Sequence, residues 1–463
     1  MKKPNVILIT ADQLRVHEVG CYGGVSSFEK PITPNIDAFA ENGIRFDLTF
    51  TTNPVCTPAR SSIISGQYGR SCIGTVFNAN EPSEDRIVFH VKTLPELLKD
   101  EGYATSIIGK WHMHVAPKTL GFDEYAFARV NQLHRDEIYD INGRKHLIEE
   151  PGSDFEFNRI QDFINRKHDR PFFLFYNYNC PHPPYFDIGD EFLYRYKNGE
   201  VPLRANVEAG KFHHFNEEDW FKVYLYDFLS YKNEDPRHNK LPDNFNINDL
   251  YAMYKGMINA TDHQVGRVIE FIKSAGILED TIVVFASDHG DNMGSHGLYN
   301  KDCSYEESVR VPLIISQHGR FKPSEALDDV VSLIDVAPTI LDMCGVGIPK
   351  HMQGISLMPL VEQNGTLKRD RVFIECENGE IVCRTKKYKL SVLTEFYMDK
   401  TGQGEIKEKT HKFFNMETDP YEIHSNGPDC PDEIMEEIYK SILRWVDYTP
   451  WAEPTKPLNQ LTW

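Results

Sequence analysis

Short apolar runs alternate with amphipathic stretches along most of this chain. Asn5-Val6-Ile7-Leu8-Ile9-Thr10 is such a run, the pattern of a parallel strand buried on both faces. Tyr103 to Ile108, Pro171 to Tyr176, Thr281 to Ala286 and Pro312 to Ile315 repeat it. Helices are predicted between them. Thr33-Pro34 opens one, with Ile36, Phe39 and Ala40 on its apolar face and Gly43 as its stop. Thr93-Leu94-Pro95-Glu96 is a capping box, and that helix ends near Gly102. Phe155 to Ile164, Ile247 to Ala275 and Asp335 to Cys344 have helical periodicity. This alternation predicts an α/β fold, a large, open, mostly parallel central sheet flanked by helices. After about residue 365 the pattern changes to Arg371–Cys376, Glu380–Arg384 and Tyr388–Leu393, short strands joined by tight turns, with a helix near Glu433–Tyr448. The expected domains are therefore a catalytic α/β domain over 1–365 and a small C-terminal antiparallel sheet plus helix over 366–463. Residues 186 to 245 are irregular and long for a loop, so a partly ordered insertion over a site is expected there. His213, His214 and Trp220 within it would suit stacking on a sugar or aryl ring, although core packing accounts for most such residues.

Composition narrows the class. The 463 residues are 40% apolar and 26% charged, as in a globular chain with a large core. A net charge of −19 argues against nucleic acid and anionic membranes as partners. No apolar run is long enough to span a membrane, and Asp12 interrupts the first run too early for a signal peptide. Nine cysteines are scattered without a Cys-x-x-Cys pair, which argues against a zinc ribbon and a disulfide framework. A cytoplasmic protein is the expectation, unless a leader has been trimmed. The oligomeric state is not readable.

One stretch stands out for chemistry, Asn53-Pro54-Val55-Cys56-Thr57-Pro58-Ala59-Arg60-Ser61-Ser62-Ile63-Ile64-Ser65-Gly66. Pro58 suits a first helical turn, Thr57 can cap it, and Gly66 can end the helix. Cys56 would then lie at a helix N-terminus, which favours an anion, with Arg60 one turn further on. A polarised nucleophile beside an anion cradle and a buried structural thiol are equally compatible with these residues alone.

The strand ends decide between them. Asp12, Lys110, His112, His182, Asp288 and His289 all follow predicted strands, and open α/β sheets bind ligands at the carboxyl ends of their strands. Asp12, Gln13, Asp288 and His289 offer two carboxylates, an amide oxygen and an imidazole, a set suited to a divalent cation. Arg60, Lys110, His112, His182 and Lys301 are donors or cations suited to a tetrahedral anion and its leaving group. Asp291 and His296 read as loop hydrogen-bonding residues and His114 as structural. Lys301 is distinguished from a surface lysine only by its place in the loop Gly294–Lys301.

With these motifs in order, the sequence resembles the formylglycine-dependent sulfatase family of the alkaline-phosphatase-like superfamily. Cys56-Thr57-Pro58-Ala59-Arg60 matches the Cys-x-Pro-x-Arg signature, and Gly66 falls on its trailing glycine. Gly109-Lys110-Trp111-His112, Ser287-Asp288-His289-Gly290 with the Gly294–Lys301 loop, and Thr418-Asp419-Pro420-Tyr421-Glu422 match further family motifs. The resemblance implies hydrolysis of sulfate esters, releasing inorganic sulfate and an alcohol. It implies conversion of Cys56 to formylglycine by a separate maturation enzyme. The hydrated aldehyde offers one hydroxyl to attack sulfur and a second that later expels sulfate. Asp12, Gln13, Asp288 and His289, with modified Cys56, are implied to hold the metal. Arg60 and Lys110 orient the nucleophile and neutralise charge, His112 accepts the second hydroxyl's proton, and His182 and Lys301 bind sulfate and assist the leaving oxygen.

Calcium is the family's usual cation. Two departures, Gln13 where many relatives have aspartate and His289 where many have asparagine, also leave magnesium, manganese or zinc compatible. The implied substrate is a small-molecule or saccharide sulfate ester. The same nucleophile serves phosphonate monoester and phosphodiester hydrolases, which makes that activity the enzyme alternative. A non-catalytic anion-binding protein would be expected to have lost some of these residues.

Overall fold

The computed structural model describes residues 2–24, 31–78, 89, 91–113, 115–128, 133–166, 169–185, 188–193, 195–196, 202–207, 247–321, 325–363, 365–394 and 411–452. His114, His213, His214, Trp220, Trp463 and most of the 186–245 insertion lie outside them.

At the centre of the main sheet, β1 (Asn5–Asp12) lies between β7 (Phe172–Pro181) and β8 (Thr281–Ser287), parallel to both. Its side chains alternate between two layers, as a pleated strand requires. Ile7, Ile9 and Ala11 pack with Leu250, Tyr254 and Met257 of the helix Ile247–Ser274. Val6 and Leu8 pack with Ile63, Ile64, Ile340 and Leu341 on the opposite face. Beyond β7 the sheet continues with β3 (Ala104–Lys110), β4 (Glu124–Ala128), β5 (Glu137–Ile141) and β6 (Arg144–Ile148). Beyond β8 come β9 (Leu313–Gln317), β2 (Ile44–Phe50) and β10 (Glu325–Ser332).

The sheet is mixed but mostly parallel, as expected of this α/β class. The run at Leu313 differs from its neighbours, because β9 is antiparallel to both β8 and β2. The cause is the long loop after Ser287. It stays at the carboxyl end of β8, so the chain re-enters the sheet from that end. Several strands are not continuous apolar runs. β2, Ile44-Arg45-Phe46-Asp47-Leu48-Thr49-Phe50, alternates with period two instead.

The C-terminal chain forms a second, antiparallel sheet of β11 (Arg371–Glu375), β12 (Glu380–Thr385), β13 (Tyr388–Leu393) and β14 (His411–Asn415). The helix Asp432–Tyr448 covers it through Ile438, Ile442 and Trp445. Arg70, in the short helix Gly69–Cys72, ties this sheet to the N-terminal part of the chain. Its guanidinium pairs with the Glu375 carboxylate and lies over the rings of Trp445 and Trp451. No helix among the described residues is long and apolar enough to cross a membrane.

Helix starts are completed both locally and from a distance. Thr93 and Glu96 form the expected capping box. At the helix Pro34–Ala40 the cap comes instead from Asp262, which accepts the N–H groups of Asn35 and Ile36 at 2.8 Å each. Removing a buried acceptor leaves its donors unsatisfied at a cost of about 1–3 kcal/mol. Asp262→Ala should therefore lower the denaturant midpoint with an unchanged m-value, in equilibrium unfolding followed by circular dichroism.

Candidate active site

The parallel register of β1, β3, β7 and β8 brings their carboxyl ends to one edge of the sheet. Asp12 and Lys110 are the last residues of β1 and β3. His182 and Asp288 are the first residues after β7 and β8. The helix Cys56–Ser65 points its N-terminus at the same edge, and all ten of its residues are buried. Gly66 closes it in the left-handed region at φ 66°, where glycine carries no side-chain penalty.

Thr57 does not cap this helix. The helix begins at Cys56 itself, after an extended Val55, so Thr57 already has helical geometry. Its Oγ1 donates to the His112 carbonyl at 2.9 Å, and its N–H donates to Asn78 Oδ1 at 3.0 Å.

Cys56 Sγ is fully buried. It lies 3.3 Å from His289 Nε2, 3.2 Å from Lys301 Nζ, 3.8 Å from Lys110 Nζ and 3.7 Å from Asp12 Oδ1. Burial alone would raise the thiol, but Lys110, Lys301 and His289 outweigh it and hold it well below its ordinary value.

Each carboxylate is divided between two tasks. Asp12 Oδ2 pairs with Lys110 Nζ and, at 3.2 Å, with Arg60. Asp288 Oδ2 accepts Arg60 Nε at 3.0 Å. Both Oδ1 atoms turn the other way and lie 3.6 Å from His289 Nε2, and that of Asp288 also accepts the backbone N–H groups of Gln13 at 3.1 Å and His289 at 2.9 Å. His289 Nδ1 is 3.0 Å from the Gly290 carbonyl, which can only accept. That fixes the proton on Nδ1 and presents Nε2 as the free ligand atom. Ligand atoms of Asp12, Cys56, Asp288 and His289 all lie within 4.8 Å of one another. Two carboxylate oxygens and an oriented imidazole fit a divalent cation.

Burial and Cys56 raise the Asp12 carboxyl, but Lys110, His182 and Arg60 prevail and hold it below the usual range. Burial and the nearby Asp12 hold Asp288 above it. This split between adjacent carboxyls reflects Asp12's larger share of cationic partners.

Gln13 lies beside the cluster, with φ at 68°. Its Oε1 accepts Lys301 Nζ at 2.9 Å, and its Nε2 donates to Asn300 at 3.1 Å and Asp291 at 2.5 Å. Asp291 is thus a hydrogen-bonding residue, as its loop position suggests. His296 stacks on Tyr305 with ring centroids 3.7 Å apart. His112 is buried beside Cys56, whose thiol interacts with its imidazole and favours the charged form. Burial lowers its proton affinity, so a neutral base is available near pH 7. His182 Nδ1 is held by the Pro183 carbonyl at 2.6 Å. Burial, Lys110 and Lys301 push its imidazole down to about 3.

Three residues outside the sequence motifs also belong to this architecture. Asn78, Asp302 and Glu377 link the nucleophile helix, the Lys301 loop and the β11–β12 turn. Nothing local marks them, because their relation to Cys56 is long-range.

The arrangement defines a hydrolase of anionic esters, with a nucleophile at a helix N-terminus, a cation set and three fixed positive charges. A family model described as Sulfatase matches residues 4–346, and one described as N-sulphoglucosamine sulphohydrolase, C-terminal, matches 294–445. The chain belongs to the sulfatase family and is a sulfuric ester hydrolase. It is 27% identical over 420 residues to an N-acetylglucosamine-6-O-sulfatase of Bacteroides thetaiotaomicron, covering 80% of this chain and 73% of that one. It is 28% identical over 480 residues to an arylsulfatase of Clostridium perfringens, covering 91% and 89% respectively. It shares its fold, with a TM-score of 0.78 and 23% identity over 99% of this chain and 100% of the other, with a solved structure described as a complex with its substrate D-glucosamine-2-N,6-O-disulfate.

His289→Ala removes the one oriented nitrogen of the cation set. It should weaken cation binding by about tenfold or more, measured by calorimetric titration with divalent ions.

Proposed function

We propose that this sulfatase acts on saccharide sulfate esters, with Cys56 converted to formylglycine and calcium as its cation. The observation that carries the proposal is the convergence of Asp12, Asp288 and His289 on Cys56 Sγ, which marks where the oxygens of the converted residue would lie. With oxygen in place of sulfur, the set becomes mainly oxygen donors, which supports a hard cation. Bound there, the cation supplies charge neutralisation and activates the nucleophile. The converted residue supplies a hydrated aldehyde that can release sulfate without attack by water.

The remaining work falls to side chains. Lys110 and Lys301 flank the nucleophile from two directions, placed to offset charge on sulfate oxygens. Arg60 acts through Asp12 and Asp288 as a positioning residue. His112 is placed to accept the proton of the second hydroxyl as the aldehyde reforms and sulfate leaves. His182, neutral in the free enzyme, faces the same space, where an anionic ester favours its protonation for donation to the leaving oxygen. The saccharide reading is supported by the relative named for N-acetylglucosamine-6-O-sulfate chemistry and by the structure with a glucosamine disulfate. Because Cys56 is fully buried, a maturation enzyme would need to reach it before the chain closes around it. All nine cysteines are free, which supports a cytoplasmic setting.

Protein from the native host should carry an aldehyde at position 56 by peptide mass spectrometry and release sulfate from N-acetylglucosamine-6-sulfate. Full activity with an intact thiol would refute the modification, and faster phosphate release from matched aryl phosphate esters would refute the substrate class. His112→Ala should lower kcat by roughly 10²–10⁴-fold in steady-state assays. Chelation should abolish turnover and calcium should restore it best, whereas preferential rescue by magnesium, manganese or zinc would reassign the ion.

A further inference from the structure

The groups around Cys56 that suit sulfate are cations and neutral imidazoles, but a carboxylate closes the ring beside them. Glu377 is half-buried in the turn between β11 and β12. Its Oε1 accepts the Asn78 N–H at 2.5 Å, and its own N–H donates to Asp302 Oδ1 at 2.5 Å. Asn78 Oδ1 in turn accepts the Thr57 N–H at 3.0 Å, and the Asp302 N–H donates to the Pro54 carbonyl at 3.2 Å. These four bonds form a closed ring spanning Pro54 to Thr57, with Cys56 inside it. Asp302 directly follows Lys301, whose Nζ is 3.2 Å from Cys56 Sγ. Burial, helped by Cys56, holds the Glu377 carboxyl above its ordinary range, against the Asn78 N–H, Lys301 and His289, which favour its charged form. Among the described residues, Glu377 Oε2 has no hydrogen bond.

A negative charge at this place does nothing for sulfate itself. The hydrogen-bond ring holds it next to the segment Pro54–Thr57 that carries the nucleophile. We propose that Glu377 is a specificity-determining residue for the alcohol half of the substrate, with Oε2 accepting a hydrogen bond from a hydroxyl or amino group and disfavouring a second anionic group there. A carboxylate built to receive a donor rejects a group that lacks one, and like charges brought together add to the rejection. The inference rests on sulfate-ester hydrolysis at Cys56 but not on the ester being a saccharide.

The test compares wild type, Glu377→Gln and Glu377→Asp on two matched pairs. One is 4-nitrophenyl sulfate and the same ester bearing a ring carboxylate. The other is N-acetylglucosamine-6-sulfate and D-glucosamine-2-N,6-O-disulfate. Glutamine keeps an oxygen for Asn78, so the ring survives. Wild type should favour the less anionic member of each pair in kcat/KM. Glu377→Gln should shrink that preference about tenfold at low salt, mainly through KM, and less at high salt. Glu377→Asp, which retains the charge, should retain the preference. Equal loss on both members of each pair, or no change in the ratio, would overturn the proposal and leave Glu377 a purely structural link. A shifted aryl ratio with no saccharide turnover would support Glu377 and refute the saccharide reading.

Discussion

Asp12 cannot be buried as a lone carboxylate. Taking such a charge out of water is prohibitive unless partners replace its hydration. Here Arg60 and Lys110 take one of its oxygens, and Arg60 takes one oxygen of Asp288 as well. Two fully buried carboxylates are thereby held at one edge of the sheet with their other oxygens facing His289. Arg60 comes from the nucleophile helix, Lys110 from β3, Asp12 from β1, and Asp288 follows β8. The ion-pair lattice therefore clamps four elements and sets the position of Cys56 at the same time.

The same lattice explains how an acidic protein binds an anion. The net charge is −19, yet Arg60, Lys110 and Lys301 lie against Cys56 and the Asp12 and Asp288 carboxylates and offset them locally. Buried charges act over short range with little screening, whereas surface charges are damped within about 10 Å at 0.1 M salt. The local field decides binding. The positive φ values of Gln13 and His112, 68° and 45°, cost backbone strain that this surrounding network stabilises. Both residues flank the site, where such strain fixes a side chain in a direction that regular structure would not give.

Much of this was legible in the sequence because parallel strands carry two signals together. Buried on both faces, they read as apolar runs, and their carboxyl ends mark where chemistry gathers. Asp12, Lys110, His182 and Asp288 could be placed in one cleft on that ground. Strands with one wetter face, such as β2, were harder to see, and the reversal of β9 depends on where a long loop turns. Thr57 was misjudged because helix starts shift by one residue with backbone geometry that composition does not encode. Glu377 and Asn78 were invisible for a different reason. Their link to Thr57 spans 320 and 21 residues of chain respectively, and no local pattern announces it.

Each carboxylate gives one oxygen to the cation lattice and turns the other toward His289, where a metal ion would bind. The most direct measurement is anomalous diffraction from crystals grown with manganese as a probe ion. The account predicts a single strong peak bounded by Asp12 Oδ1, Asp288 Oδ1 and His289 Nε2, with Arg60 still on both Oδ2 atoms. A peak elsewhere, or one bound through the Oδ2 atoms with Arg60 displaced, would contradict it.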